Sequence, residues 1–335
     1  MKQTSWPEVA VVGAGAVGSY FGAQLAKAGA SVTLIGRDAP MHAIREHGLR
    51  IIGKDYQETV SLHTSTELSA ANSSDLILLC IKTNDTVAAA QALKQIIRPH
   101  ATVLSLQNGV DNVERIYRAS GLRAVPAAVY VAVELSEPGT LLHKGRGDLQ
   151  IGAYPFSDAC GAAAAVSMDP AIRQISVWFE AAGVACPVSE NIEAELWTKL
   201  IMNCAVNAIS ALAQAPYGRM AALPEGKQMI AELVRETVKV ARAHGVKLKD
   251  VDFEEAAFRL IEGMPEQYSS TAQDIGRGKL TEIDALNGYV AALAWQHRVD
   301  APLNRWLTTL IKLREQSRQA STAHQGGNDS STEAR

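Results

Sequence analysis

The sequence predicts an α/β domain at the N-terminus followed by an all-helical domain. Three observations predict it. Short apolar, β-branched runs alternate with helically spaced segments over the first half of the chain, and a mostly parallel sheet covered on both faces is the packing that such alternation favours. A glycine-rich turn, GAGAVG at 13–18, follows the first of those runs and opens the first helix. From about residue 188 the apolar periodicity becomes almost entirely helical.

Taken in order, EVAVVG (8–13) is the first strand. Val17, Tyr20, Phe21, Leu25 and Ala28 then space a helix over 17–29 that Gly29 stops. SVTLIG (31–36) is the second strand; SDLILLCIK (74–82) and ATVLSLQNG (101–109) repeat the pattern around a helical stretch at 84–97. AVPAAVYVAVEL (124–135) continues the β-rich region, and TLLHKGRGDLQIG (140–152) reads as a hairpin or edge pair around its glycines. Residues 157–170 are small and polar, a loop leading into a helix at 171–182. Ser189 is placed to cap a helix with Glu190 in its first turn. The expected domains are 1–187 for the sheet and 188–315 for the helices, interrupted near Gly218, Gly245, Gly263 and Pro302. Residues 316–335 are too poor in apolar side chains to fold and read as a disordered tail.

Composition narrows the function. A chain of 335 residues with 47% apolar content can bury more than one core. A net charge of −3 without a long basic stripe argues against nucleic acid as a partner. Cys80, Cys160, Cys186 and Cys204 form no CxxC pair, which favours reduced thiols and a cytoplasmic location over a disulfide scaffold. The start, MKQTSWPEVA, carries no apolar signal run, and no stretch reaches the ~20 uninterrupted apolar residues of a membrane helix. No histidine cluster calls for a metal; His42 and His47 read as surface residues.

Within the glycine turn each glycine has a separate task. Gly13 permits the tight turn, Gly15 lets a pyrophosphate approach the backbone, and Gly18 permits close helix–strand contact; Ala14, Ala16 and Val17 complete the cofactor-binding turn. Unpaired N–H groups of the helix would face the phosphates. At the end of the second strand, where Asp or Glu would accept from a plain ribose, stands Gly36-Arg37. A guanidinium pairs with a 2′-phosphate, so Arg37 argues for NADP(H), while a surface pair with Asp38 is the alternative. Lys82 and Asn108 close the third and fourth strands, where this arrangement places ligand contacts; a solvent-facing lysine and a simple Asn-Gly turn are the structural alternatives.

LWTKLIMNCAVNAISALA (196–213) reads as a buried helix, yet Lys199, Asn203 and Asn207 recur at four-residue spacing along one stripe of it. Two readings stand. The stripe is a wet seam with Glu195 pairing to Lys199, or it faces a polar substrate, with Lys199 as proton donor to a carbonyl receiving hydride. A second polar cluster lies in YSSTAQDIGRGKLTEIDALNG (268–288). There Glu282 either orients the ammonium of Lys199 or sits in the first turn of a 282–297 helix capped by Thr281.

Together GAGAVG, LIGR, LCIK, QNGV, ELWTKLIMNCAVNAISAL and SSTAQDIGRGKLTEIDALNG resemble the ketopantoate reductase (2-dehydropantoate 2-reductase) family over about 9–312. The resemblance implies an N-terminal Rossmann-type domain, a helical C-terminal domain, and reduction of ketopantoate to (R)-pantoate with NADPH on the way to pantothenate. It implies Lys199 as general acid, Asn203, Asn207 and Ser270 as substrate contacts, and Asn108 beside nicotinamide and substrate. Glu282 would anchor the substrate or Lys199, Arg37 would read the 2′-phosphate, and Lys82 would touch the cofactor. Ser269 receives no role. Thr271 and Ala272 stand where many relatives carry larger apolar residues, which bears on which 2-oxo acid fits. The substrate is expected to enter between the domains, and a homodimer is left open. The alternatives are reduction of another 2-oxo acid, a β-hydroxyacid dehydrogenase, disfavoured because VSENIEAELW has no glycine before the lysine, and a non-catalytic sensor of NADP(H).

Overall fold

The computed structural model describes residues 5–156 and 170–326, with side chains through Ser317. The chain divides into two compact units, Met1–Leu196 and Trp197–Arg335.

The first unit runs β1 (Glu8–Val12), α1 (Ala16–Lys27), β2 (Ser31–Ile35), α2 (Asp38–His47), β3 (Leu49–Ile52), β4 (Gln57–Val60), β5 (His63–Ser65) and β6 (Leu76–Leu79). It continues through α3 (Thr86–Ile96), β7 (Thr102–Ser105), α4 (Asn112–Ser120), β8 (Val125–Glu137), β9 (Thr140–Ile151) and α5 (Pro170–Ala181). The strands form one nine-stranded sheet in the order β4-β3-β9-β8-β7-β6-β1-β2-β5. From β5 through β8 every pairing is parallel. Alternation within β1 feeds two cores: Val9 and Val11 join Phe21, Met41 and Phe179 on one face, while Ala10 and Val12 join Ala90, Leu93 and Ile116 on the other. Burial on both faces is why these strands read as unbroken apolar runs.

The hairpin expected at 140–152 is not formed. β9 runs as a single strand, antiparallel to β8 on one side and parallel to β3 on the other, so it is not an edge. Gly145, Arg146 and Gly147 have φ of 149°, 53° and 151°, and register shifts interrupt the pairing with β8 on both sides of Val131–Ala132. The glycines bend a strand at bulges where the sequence suggested a turn. Most of the loop expected at 157–170 lies outside the described residues; Pro170 already opens α5.

The sequence placed the domain boundary at 187, earlier than the division after Leu196. Val188 forms a parallel bridge with Ile151, and Ser189 N–H donates to the Ile151 carbonyl at 2.7 Å, which keeps this segment on the sheet. The following helix, α6 (Ile192–Ala213), is capped by Asn191, whose Oδ1 accepts the Ala194 N–H at 3.1 Å. Ser189 lies outside the helix and accepts from Asn191 N–H instead, so Glu193 takes the first-turn position expected for Glu190.

The second unit packs α7 (Tyr217–Ala221), α8 (Pro224–Ala243), α9 (Phe253–Gly263), α10 (Ser270–Gly276), α11 (Asn287–His297) and α12 (Pro302–Gly326) with α6. α6 is long and apolar enough to cross a membrane, but most of it is buried here inside the protein. Ile201, Ala205 and Val206 join one core cluster, and Ala208 and Ala211 join another with Leu233, Ile275, Ile283 and Ile311. α12 continues past residue 316, where the sequence placed the start of a disordered tail. Arg314, Glu315, Gln316 and Ala320 are good helix formers, and elongating an anchored helix needs no further core. Residues 327–335 lie outside the described residues.

Candidate active site

Four segments singled out in the sequence end neighbouring parallel strands. The glycine turn follows β1, Arg37 follows β2, Lys82 follows β6 and Asn108 follows β7, and these strands are adjacent in the order β7-β6-β1-β2. Parallel strands put all their carboxyl ends on one edge. The chain leaves β1 toward β2 on one side and returns as β6 on the other, making the switch point where open α/β sheets take ligands.

Packing explains the glycines. A Cβ on Gly13, whose φ is 98°, would lie 2.7 Å from the Cys80 carbonyl carbon, and one on Gly18 would lie 2.4 Å from the Gly13 oxygen. Gly15 is different: it is exposed, and a Cβ there meets nothing within 4 Å. The Ile35 carbonyl receives both Gly13 and Ala14 N–H at 3.0 Å, which ties the turn to the end of β2. α1 begins without a side-chain cap or a first-turn acid, leaving its leading N–H groups to a ligand. Ala16 and Val17 are half-buried there. Burial pushes the Cys80 thiol up.

Arg37 is exposed at the residue preceding α2 and, among the described residues, its guanidinium forms no ion pair with Asp38 or any other acid. Lys82 is half-buried ahead of a short turn over Thr83–Asp85. A polar lock absent from the sequence reading joins this turn to the end of β7. Gln107 Nε2 donates to the Ile81 carbonyl at 3.2 Å and to Thr86 Oγ1 at 2.7 Å, while its Oε1 accepts from Ser105 Oγ. The Asn108 carbonyl accepts from Asn112 Nδ2 at 2.6 Å and from Thr83 Oγ1 at 3.2 Å. Gln107, Thr86 and Asn112 are buried. They fix the loops bearing Lys82 and Asn108 relative to each other.

In the second unit Lys199 and Asn203 are half-buried and Asn207 is 3% exposed along the α6 stripe. Among the described residues, nothing hydrogen-bonds the side-chain amides of Asn203 or Asn207. Ser269, which had no role in the sequence reading, is buried and structural: its Oγ accepts Ala272 N–H as the cap of α10 and donates to the Asn207 carbonyl at 3.1 Å. Ser270, exposed at the first residue of α10, is thereby held beside the end of the stripe.

The helix expected over 282–297 begins only at Asn287. Thr281 Oγ1 accepts the Ile283 N–H at 3.2 Å ahead of a short 3-10 turn over Ile283–Ala285, and Leu286, at φ −111° and ψ −108°, breaks the path into α11. Glu282 therefore occupies no helix first turn. It is half-buried, next to Ile283, which packs with Ala208 and Ala211 of α6.

Two family profiles match the chain: "Ketopantoate reductase PanE/ApbA" over residues 9–155 and "Ketopantoate reductase PanE/ApbA C terminal" over 191–315. The chain is 35% identical over 308 residues to the 2-dehydropantoate 2-reductase of Pyrococcus horikoshii, covering 92% of this chain and 97% of that one. It superposes on the PanE/ApbA family ketopantoate reductase of Ralstonia eutropha JMP134 with a TM-score of 0.84 at 41% identity, covering 93% and 99% of the two chains. A D-mandelate dehydrogenase crystallised with NADH and anilino(oxo)acetate reaches the same TM-score at 23% identity over 93% and 99% of the two chains, a likeness of fold alone. Matched in both of its units by the two halves of one profile pair, this chain belongs to the ketopantoate reductase PanE/ApbA family of oxidoreductases that work with a nucleotide cofactor.

Proposed function

We propose that the protein reduces ketopantoate to (R)-pantoate with NADPH. One observation carries the reading: α6 keeps a lysine and two amides at four-residue spacing on a single stripe of an otherwise largely apolar helix. The residues at the strand ends fit a dinucleotide, since Gly15 leaves open the space that any Cβ would fill and the first turn of α1 keeps its donors uncapped. Arg37, without an acid partner, suits a 2′-phosphate better than a bare ribose. When bound, the reduced nicotinamide supplies hydride to C2 of the 2-oxo acid.

The remaining work falls to side chains of this chain. Lys199 Nζ gives its proton to the carbonyl oxygen as negative charge develops there. Asn203, Asn207 and Ser270 donate to the carboxylate and hydroxyl groups of the substrate, and Glu282 orients the ammonium. Lys82 contacts the cofactor, and Asn108, its backbone fixed by Thr83 and Asn112, presents its amide beside the nicotinamide and substrate. A cytoplasmic location accompanies this reading, supported by the free thiols of Cys80, Cys186 and Cys204.

Reduction of a different 2-oxo acid is the second reading. Its ground is Thr271 and Ala272, buried directly after Ser270 where the resemblance leads one to expect larger apolar residues. The test is an NADPH-oxidation assay of the purified protein across ketopantoate and a panel of 2-oxo acids. Highest kcat/KM for ketopantoate supports the first reading, a preference for another member supports the second, and no oxidation with any of them rejects both.

A further inference from the structure

A line of hydrogen bonds, part-buried at Glu236 and buried from Asn304 onward, crosses the second unit and ends on the backbone of α6. On α8, Glu236 Oε1 accepts the Leu303 N–H at 3.0 Å and Oε2 accepts the Asn304 N–H at 3.1 Å, closing the first turn of α12. The same Oε2 accepts from Asn304 Nδ2 at 2.9 Å. Asn304 Oδ1 then accepts from Asn287 Nδ2 at 3.0 Å, and Asn287 Nδ2 also donates to the Cys204 carbonyl of α6 at 3.1 Å. Asn287 and Asn304 are both 0% exposed.

This line runs in one sense only. A carboxyl group accepting from two backbone donors and an amide obliges Asn304 to turn its NH2 toward Glu236. Its oxygen is left for Asn287, which must present its own NH2, and the second hydrogen of that group reaches Cys204. The consequence is visible at Asn287 Oδ1, which is buried and, among the described residues, has no partner. An apolar side chain at 287 would spare that oxygen but leave the buried Asn304 Oδ1 without its donor, so the amide belongs to the line as a whole and not to position 287 alone. Nor does it build the helix, since an interior carbonyl of α6 already has its own helical N–H. What the extra donor does is fix α6 against α11, at the residue directly after Asn203.

We infer that Asn287 is a positioning residue, which through the Cys204 carbonyl sets the axial and rotational placement of Lys199 and Asn203, with Glu236 and Asn304 dictating its orientation. The inference rests on the proposed role of Lys199 as proton donor. Its test is Asn287→Leu in the full-length protein, alone and combined with Lys199→Ala. Turnover of the 2-oxo acid is expected to fall about ten- to a hundredfold in Asn287→Leu, the scale of a misplaced reacting group, with NADPH affinity unchanged. In the Lys199→Ala background the same change is expected to cost about threefold or less, because a displaced ammonium and a missing one are the same loss. Losses that multiply in the double variant, or turnover of Asn287→Leu within about twofold of the parent, overturn the inference. Parent-like turnover of Lys199→Ala alone rejects the proton donor itself, and this inference with it, and is read from that single variant. If Asn287→Leu does not fold, Glu236→Gln keeps the shape but removes the imposed sense; a loss that shrinks in the Lys199→Ala background supports the inference, and a multiplicative or absent one rejects it.

Discussion

At the residue scale, Gly15 and Gly18 sit in one turn under opposite constraints. A methyl group on Gly18 would press on the Gly13 oxygen and on Val11 Cγ1 at 2.8 Å, whereas one on Gly15 meets open space at a φ of −77° that alanine adopts freely. Gly18→Ala is therefore expected to destabilise the protein by ~1–3 kcal/mol as an overpacked contact. Gly15→Ala is expected to leave thermal stability nearly unchanged while weakening NADPH binding by about tenfold, ~1.4 kcal/mol. Isothermal titration and thermal unfolding of the two variants separate these effects, and an equal loss of stability in both would refute the division of labour. Lys199→Ala is expected to lower turnover about 10²–10⁴-fold with little change in NADPH affinity, the scale of a positioned proton donor; single-turnover rates measure it. These residues were legible in the sequence because their signal is local: a spacing of three or four, or a position at a strand end. The lock formed by Gln107, Thr86 and Asn112 was not, since its bonds join residues 21 and 26 positions apart. Nothing in a single polar side chain names so distant a partner.

Among the elements, the strands buried on both faces declared themselves as apolar runs, and so did the helices with one buried stripe. β3, β4 and β5 were not foreseen: they are short, and exposed or half-buried residues interrupt their burial, so no run stands out. β9 was misread because glycine marks a bulge as readily as a turn, and only the partner strand tells which. One contact between elements carries a pH prediction. His244, at the end of α8, meets His297, at the end of α11, with Nδ1 to Nε2 at 2.9 Å. Trp197 of α6 packs against the same His244 ring, their centroids 6.1 Å apart. Desolvation, then the neighbouring His297, lowers the His244 pKa below its ordinary 6.5. Between the lowered value and 6.5 the unfolded chain binds the proton and the folded one does not, so stability rises with pH across that window and is lost as pH falls through it. The parent is expected to lose more thermal stability on acidification from about pH 7.5 to about pH 5.5 than His244→Gln, which lacks the titrating ring. Parallel slopes in the two proteins would show that the histidine contact contributes nothing to acid sensitivity.

For the whole molecule, the proposed chemistry divides between the two units. Every residue proposed for the dinucleotide stands at the strand ends of the first unit, Asn108 alone being proposed for the substrate as well, while the proposed proton donor and amides stand on α6. Cofactor choice can therefore be measured as a binding property, without turnover. A ligand that binds only the folded chain stabilises it by ~2.7 kcal/mol at about a hundred times its Kd, so unfolding reports affinity directly. If Arg37 grips the 2′-phosphate, NADPH is expected to raise the thermal midpoint of the parent more than NADH at the same concentration. Arg37→Ala is then expected to lower the NADPH shift to the size of the NADH shift and leave the latter alone, because the guanidinium is exposed and supports no packing that both ligands share. Equal shifts from the two dinucleotides in the parent, or a common loss of both in the variant, would take the 2′-phosphate away from Arg37. Family membership would survive that result, since it rests on matches spanning both units, and the glycine turn would keep its pyrophosphate; what would change is the reductant delivered to the substrate.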